Sequence, residues 1–148
     1  MKRTVFLTLM AWLFCASTFV SAETVNVVEN WDSGIDQASH TATLNDGTVL
    51  GFLEKYTNVW YFVGAITTRD SLYVPDSICY NSQTSAVEKI GDFYRVDFSA
   101  APNLAKLSLP KTLTYIEATL PSQITDLFLN QTTPPPGYII VRPFQTPR

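Results

Sequence analysis

The sequence predicts a mainly β protein, a short β-solenoid of two or three stacked repeats behind an N-terminal antiparallel β cap. Three observations predict it. First, the stretch from Leu72 to Pro136 repeats itself: LYVPDSI at Leu72–Ile78 returns as LSLPKTL at Leu107–Leu113, and a looser copy, LFLNQTTPPP, begins at Leu127. Each copy alternates apolar and other residues and then meets Pro or a polar breaker, the pattern of a short strand with one buried face and an enforced turn. Such a strand cannot bury its apolar side alone, so the copies must stack and share a core. Second, the N-terminal half carries a hairpin signal between alternating segments. Third, helix signals are weak: β-branched and aromatic residues are frequent, Pro interrupts the second half, and no window holds a 3.6-residue period over three turns.

In chain order, residues 1–22 read as a signal peptide. Lys2 and Arg3 make a basic start, Val5–Val20 is mostly apolar, and Val20-Ser21-Ala22 is a small-residue cleavage site before Glu23. The apolar run is short for a membrane span and is broken by Thr8, Ser17 and Thr18. Cys15 lacks the flanking residues of a lipid-modified cysteine, since Phe14 precedes it and Trp12 stands three positions earlier. Residues 23–68 form the expected cap. Thr24–Val28 suits an edge strand, and Glu29–Asp36 is turn-like. Thr41–Leu44 and Thr48–Leu53 flank Asn45-Asp46-Gly47, which supplies the positive φ of a tight hairpin. Val59–Ile66 is continuously apolar, as a strand covered on both faces would be. Residues 69–136 hold the repeats. Pro134–Pro136 is expected to be stiff and extended, Tyr138–Val141 is a candidate last strand, and Arg142–Arg148 reads as a tail. No wall-anchoring or exporter domain is expected after the last copy.

The repeat residues resemble the BspA-like leucine-rich repeats of bacterial surface proteins. The matching positions are Leu72, Val74, Pro75, Ser77 and Ile78, then Val87, Ile90 and Gly91, then Leu104, Leu107, Leu109, Pro110, Thr112, Leu113 and Ile116. Cys79–Tyr94 resembles the family's first repeat, in which a Tyr-Asn hairpin leads to a second strand ending Ile-Gly, and Asn130–Pro136 resembles the ending of its last. The resemblance covers Asp70–Pro136, with two departures: the copies are unevenly spaced, and an aromatic-rich segment with Asp97 replaces the usual small-residue turn at Phe93–Ala101. It implies a short, adhesin-like, protein-binding member of the family. It also implies Asp-Ser-apolar acceptor sites for O-glycosylation at Ser71 and Ser77.

Composition narrows the chemistry. Loss of Lys2 and Arg3 with the signal segment takes the formal charge from −3 to −5, and no block of like charge remains. That balance disfavours nucleic acid and anionic membrane surfaces. Cys79 is then the only thiol, so no internal disulfide is available, and it reads as a small buried apolar residue of the hairpin. His40 is the only histidine and has no nucleophile beside it in sequence; it reads as a structural or exposed side chain. One His and one Cys do not make a zinc site. Asn30, Asp32, Ser33 and Asp36 resemble an oxygen-ligand loop but lack the spacing and terminal Glu of a calcium hand. No Gly-rich phosphate loop is present. The expectation is a protein with no cofactor, no metal and no catalytic residues.

Alternation turns Leu72, Val74, Leu107, Leu109, Leu127 and Leu129 inward. It leaves Tyr73, Ser108 and Phe128 outward, with Ser71, Lys106 and Asp126 as a parallel row. Stacked in register, these six form a candidate protein-binding face on which Lys106 and Asp126 meet as a cross-strand ion pair. The alternative is a carbohydrate-binding β module using Trp31, Tyr56, Trp60 or Tyr61 as stacking platforms, and it requires Val59–Val63 to be outside the core. A small envelope protein serving assembly alone is a third reading, and an open edge at Leu127–Asn130 would favour strand addition between copies. The leading expectation is a secreted, periplasmic or surface-exposed, non-enzymatic module with a protein partner.

Overall fold

The computed structural model describes residues 24–130 and 138–141. The expected signal peptide, the Pro134–Pro136 run and the expected tail at Arg142–Arg148 lie outside the described residues. Within them the protein is mainly β. The strands are β1 (Thr24–Asn26), β2 (Val28–Glu29), β3 (His40–Thr43), β4 (Val49–Tyr56), β5 (Val59–Ile66), β6 (Ser71–Tyr73), β7 (Ser77–Tyr80), β8 (Gln83–Arg95), β9 (Lys106–Leu109), β10 (Tyr115–Thr119), β11 (Asp126–Leu129) and β12 (Tyr138–Val141). Among the described residues no helix is long and apolar enough to cross a membrane.

The hairpin signal at Asn45–Gly47 forms as its chemistry requires. Gly47 has φ +88°, the Leu44 amide donates to the Thr48 carbonyl at 2.8 Å, and the Asp46 carboxylate accepts from the Thr48 amide and hydroxyl. β3, β4 and β5 follow as an antiparallel meander with β2 on its outer edge. β5 is buried along nearly its whole length because both faces are covered. On one side Phe52, Trp60 and Phe62 enter the main core; on the other Tyr61 and Val63 pack with Ile35 and Ala38 from the preceding loop. Ile35 fits there because Gly51 and Gly64 pair across β4 and β5. A Cβ at Gly51 would stand 2.8 Å from Ile35 Cγ2, and one at Gly64 2.7 Å from the same atom.

Two features of this sheet depart from expectation. β1 pairs in parallel with β7, not with the antiparallel cap strands. The hairpin β7–β8, turning at Asn81 and Ser82 with positive φ, then joins β5 through a parallel pairing with β8. The strand path is β1-β7-β8-β5-β4-β3-β2. Its ends, β1 and β2, are separated only by Val27, so the path curls round until its two edges nearly meet. The boundary drawn at residues 68 and 69 therefore does not divide two sheets.

Beyond β5 the chain alternates between two parallel ladders. One is β6-β9-β11; the other joins β8, β10 and β12. Equivalent backbone contacts recur between copies: the Asp70 carbonyl accepts from the Ala105 and Lys106 amides, and the Ala105 carbonyl accepts from those of Thr125 and Asp126. The uneven spacing of the copies has a simple cause, since the first interval carries the whole of β7 and β8. The turns after the Leu-x-Leu strands are tied together by Asp76. Its carboxylate accepts from the Lys111 amide at 2.9 Å, and its carbonyl accepts from the Val87 amide and the Thr112 hydroxyl. One hydrophobic core runs through all of this, from Val27 and Trp60 to Leu107 and Ile124.

The Phe93–Ala101 segment, where the sequence departs from the family's small-residue turn, begins inside a strand. β8 continues through Gly91 to Arg95. Beyond it Asp97 clamps β5: its amide donates to the Val63 carbonyl, and its carbonyl accepts from Ala65. Cys79 is half-buried on β7 and is not the fully buried hairpin residue expected, because β7 lies next to the edge strand β1.

Candidate binding face

The six predicted face residues come together on β6, β9 and β11. The strands are parallel and in register: Ser71 pairs with Lys106 and Lys106 with Asp126, while Tyr73 pairs with Ser108 and Ser108 with Phe128. The alternate residues face the other way, where Leu72, Val74, Leu107 and Leu109 are buried and Leu127 and Leu129 half-buried. The apolar side locks the register, because a one-residue slip would expose every leucine. Ser71, Lys106 and Asp126 are exposed, Tyr73 and Ser108 are half-buried, and Phe128 is 52% exposed.

These side chains border a shallow groove of about 240 Å³ in which Arg69 joins Ser71, Tyr73, Lys106, Ser108 and Phe128. Arg69 precedes the first repeat strand, so strand alternation could not mark it. Its guanidinium is ion-paired with Asp46 of the β3–β4 turn. The Thr48 amide holds the Asp46 carboxyl below its ordinary range. The Tyr73 phenol is raised above its ordinary value, first by burial and then by the negative charge of Asp76. Asn130 steadies the far side, donating to Ser108 Oγ at 2.8 Å and to the Leu109 carbonyl at 2.6 Å. The expected Lys106–Asp126 ion pair is not among the ion pairs of the described residues. Register alone does not make it, and the Asp126 carboxylate instead accepts from Thr125 Oγ1 at 3.1 Å.

The aromatic platforms of the carbohydrate alternative separate into two classes. Trp60 is 1% and Tyr61 5% exposed, because Val59–Val63 is core; neither can stack on a sugar ring. Trp31 and Tyr56 are each 66% exposed, and Trp31 Nε1 donates to Glu29 at 2.8 Å. His40 is buried, edge-on to Trp60 and Tyr80, with Nδ1 2.8 Å from Ser39 Oγ. Burial pushes the imidazole below its ordinary pKa, opposed by the charges of Glu54 and Glu29.

Three residues of the loop read against a calcium hand, Asn30, Ser33 and Asp36, engage partners within the protein. Asn30 donates to Thr41, Ser33 accepts from the Ile35 amide, and the Asp36 amide donates to Asp97 while its carboxylate lies 3.6 Å from Arg95. Of the two acceptor serines, Ser71 is exposed on the face, whereas Ser77 Oγ lies 2.6 Å from Thr24 Oγ1. Compared with models of known families, with curated proteins and with solved structures, the chain finds no match.

Proposed function

We propose that this chain is an exported, non-enzymatic binding module, a short BspA-like leucine-rich repeat protein that recognises another protein through the β6-β9-β11 face. The observation that carries the reading is the in-register double row on that face, with Tyr73 and Phe128 flanking Ser108 and with Lys106 beside Arg69. Exposed aromatics and arginine dominate contact energies at protein interfaces. Lys106 is exposed in the groove, and Arg69 beside it is already paired with Asp46, so the groove favours a partner segment that pairs an acidic residue with an apolar side chain. Export rests on the basic start, the apolar run and the cleavage site before Glu23.

The test is capture of extracellular proteins by the purified protein beside Phe128→Ala and Lys106→Glu variants. Both sites are on the surface, so the variants keep the fold. The expected result is a partner retained by the parent, lost from Phe128→Ala, and weakened about tenfold or more by Lys106→Glu at low salt. A partner held equally by all three proteins overturns the assignment of this face. N-terminal sequencing of the cell-derived protein tests export, with Glu23 as the expected first residue.

A further inference from the structure

A second and larger cleft, of about 520 Å³, lies beyond the outer edge of β6. That volume is within the range of about 300–1,000 Å³ typical of small-ligand sites. Its apolar side is offered by Val25 on β1 and Leu44 after β3, both half-buried, over the buried Ala42, Leu50, Leu72 and Pro75. Its rim is polar and comes from four separate elements: Asn26 on β1, Thr43 on β3, Asn45 in the β3–β4 turn and Tyr73 on β6.

The chemistry of this rim is selective. The side chains of Asn26, Thr43, Asn45 and Tyr73 form no hydrogen bond with any described residue, although they converge on one space. Amides and hydroxyls each donate and accept, which matches ligand hydroxyl groups that do the same. Among the described residues, the only charged groups lining the cleft are Asp46 and Arg69, and they neutralise each other as an ion pair. A ligand of either charge would therefore meet no net counter-charge. An apolar floor under a donor–acceptor rim, with a tyrosine ring at one side, fits a molecule with one C–H face and a hydroxyl edge. An extended peptide fits less well, because β6 offers an edge of only three residues.

From this we infer that the cleft between β1, β3 and β6 binds a short neutral oligosaccharide. Asn26 and Asn45 hold its hydroxyls, Tyr73 covers a ring face, and Val25 and Leu44 support the other. The site adjoins the protein-binding face, with which it shares Arg69, Leu72 and Tyr73, and differs from it in Asn26, Thr43 and Asn45.

The experiment is titration calorimetry of the purified protein with cellotriose, maltotriose and chitotriose, with tri-galacturonic acid as an anionic control. The same titrations are run on Asn26→Ala/Asn45→Ala and on Phe128→Ala. Both asparagines are exposed and make no side-chain hydrogen bonds, so their loss leaves the fold intact, and circular dichroism checks this. The expected result is saturable binding of at least one neutral trisaccharide. It weakens about tenfold or more in the double variant, the scale of losing one or two hydrogen bonds, and is unchanged in Phe128→Ala. No binding by any neutral trisaccharide overturns the inference. So does binding that the double variant leaves intact, or tighter binding of the anionic control. Because Phe128→Ala disables only the protein-binding face, failure of that face and failure of this cleft are read separately.

Discussion

At the scale of the residue, burial decides what each polar side chain can do. His40 is enclosed by Trp60 and Tyr80 and keeps one hydrogen bond, to Ser39, while its Nε2 has no partner within the described protein. Its folded pKa is below its ordinary 6.5 because burial disfavours the imidazolium. The unfolded chain therefore takes up a proton that the folded protein refuses. The resulting contribution to stability is whole above 6.5 and is lost progressively as pH falls below it. Urea midpoints at about pH 8 and about pH 5.5 should show a fall for the parent that is smaller in His40→Phe, which keeps the ring contacts and removes the titration. Asp97 titrates in a lower window. Burial would raise its carboxyl, but the Asp36 amide and the amide and hydroxyl of Ser99 outweigh it and hold the pKa down. Its contribution is present above the ordinary 3.8 and is lost as pH falls through the depressed value.

At the scale of the element, the β4–β5 pair depends on the absence of side chains at two facing positions. Gly64 lies between Ile35 on one side and the Asp97 backbone on the other, and a Cβ there would collide with the Asp97 carbonyl oxygen. That oxygen accepts from the Ala65 amide, so it cannot move away without breaking the clamp that joins β5 to the segment after β8. Gly64→Ala should therefore destabilise the protein by about 1–3 kcal/mol, the usual cost of overpacking, and chemical denaturation measures it. A loss below a few tenths of a kcal/mol would mean that the clamp is not rigid. The repeat strands are governed differently. β6, β9 and β11 are three or four residues long, and their order comes from leucines locked against the shared core, not from strand length.

At the scale of the whole molecule, the curled sheet and the two parallel ladders share one hydrophobic core. Leu107, fully buried at the centre of the β6-β9-β11 ladder, and Trp60, on β5, belong to the same core. Leu107→Ala should cost about 2–5 kcal/mol. The loss should appear in the urea transition followed by tryptophan fluorescence, which Trp60 reports from the buried side of the curled sheet. If the fluorescence transition stayed in place while the β signal in circular dichroism split in two, the molecule would instead be two separately folding halves.

Much of this architecture was determined by the sequence itself. Leu-x-Leu or Leu-x-Val followed by Pro or Asn turns alternate residues to one side, so the outward rows at Ser71, Lys106 and Asp126 and at Tyr73, Ser108 and Phe128 were legible from local pattern. The Asn45–Gly47 turn and the buried β5 were legible for the same reason. Tertiary structure alone decided the rest. Nothing local says that β1 leaves the antiparallel strands for β7, or that Val27 brings the two edges of the sheet together, because strand pairing depends on contacts remote in sequence. The candidate sites divide along the same line. The face could be read because alternation within single strands defines it. Arg69 in its groove, and the convergence of Asn26, Asn45 and Tyr73 on one cleft, could not, because those side chains come from different elements that meet only when the curled sheet and the first repeat pack on a common core.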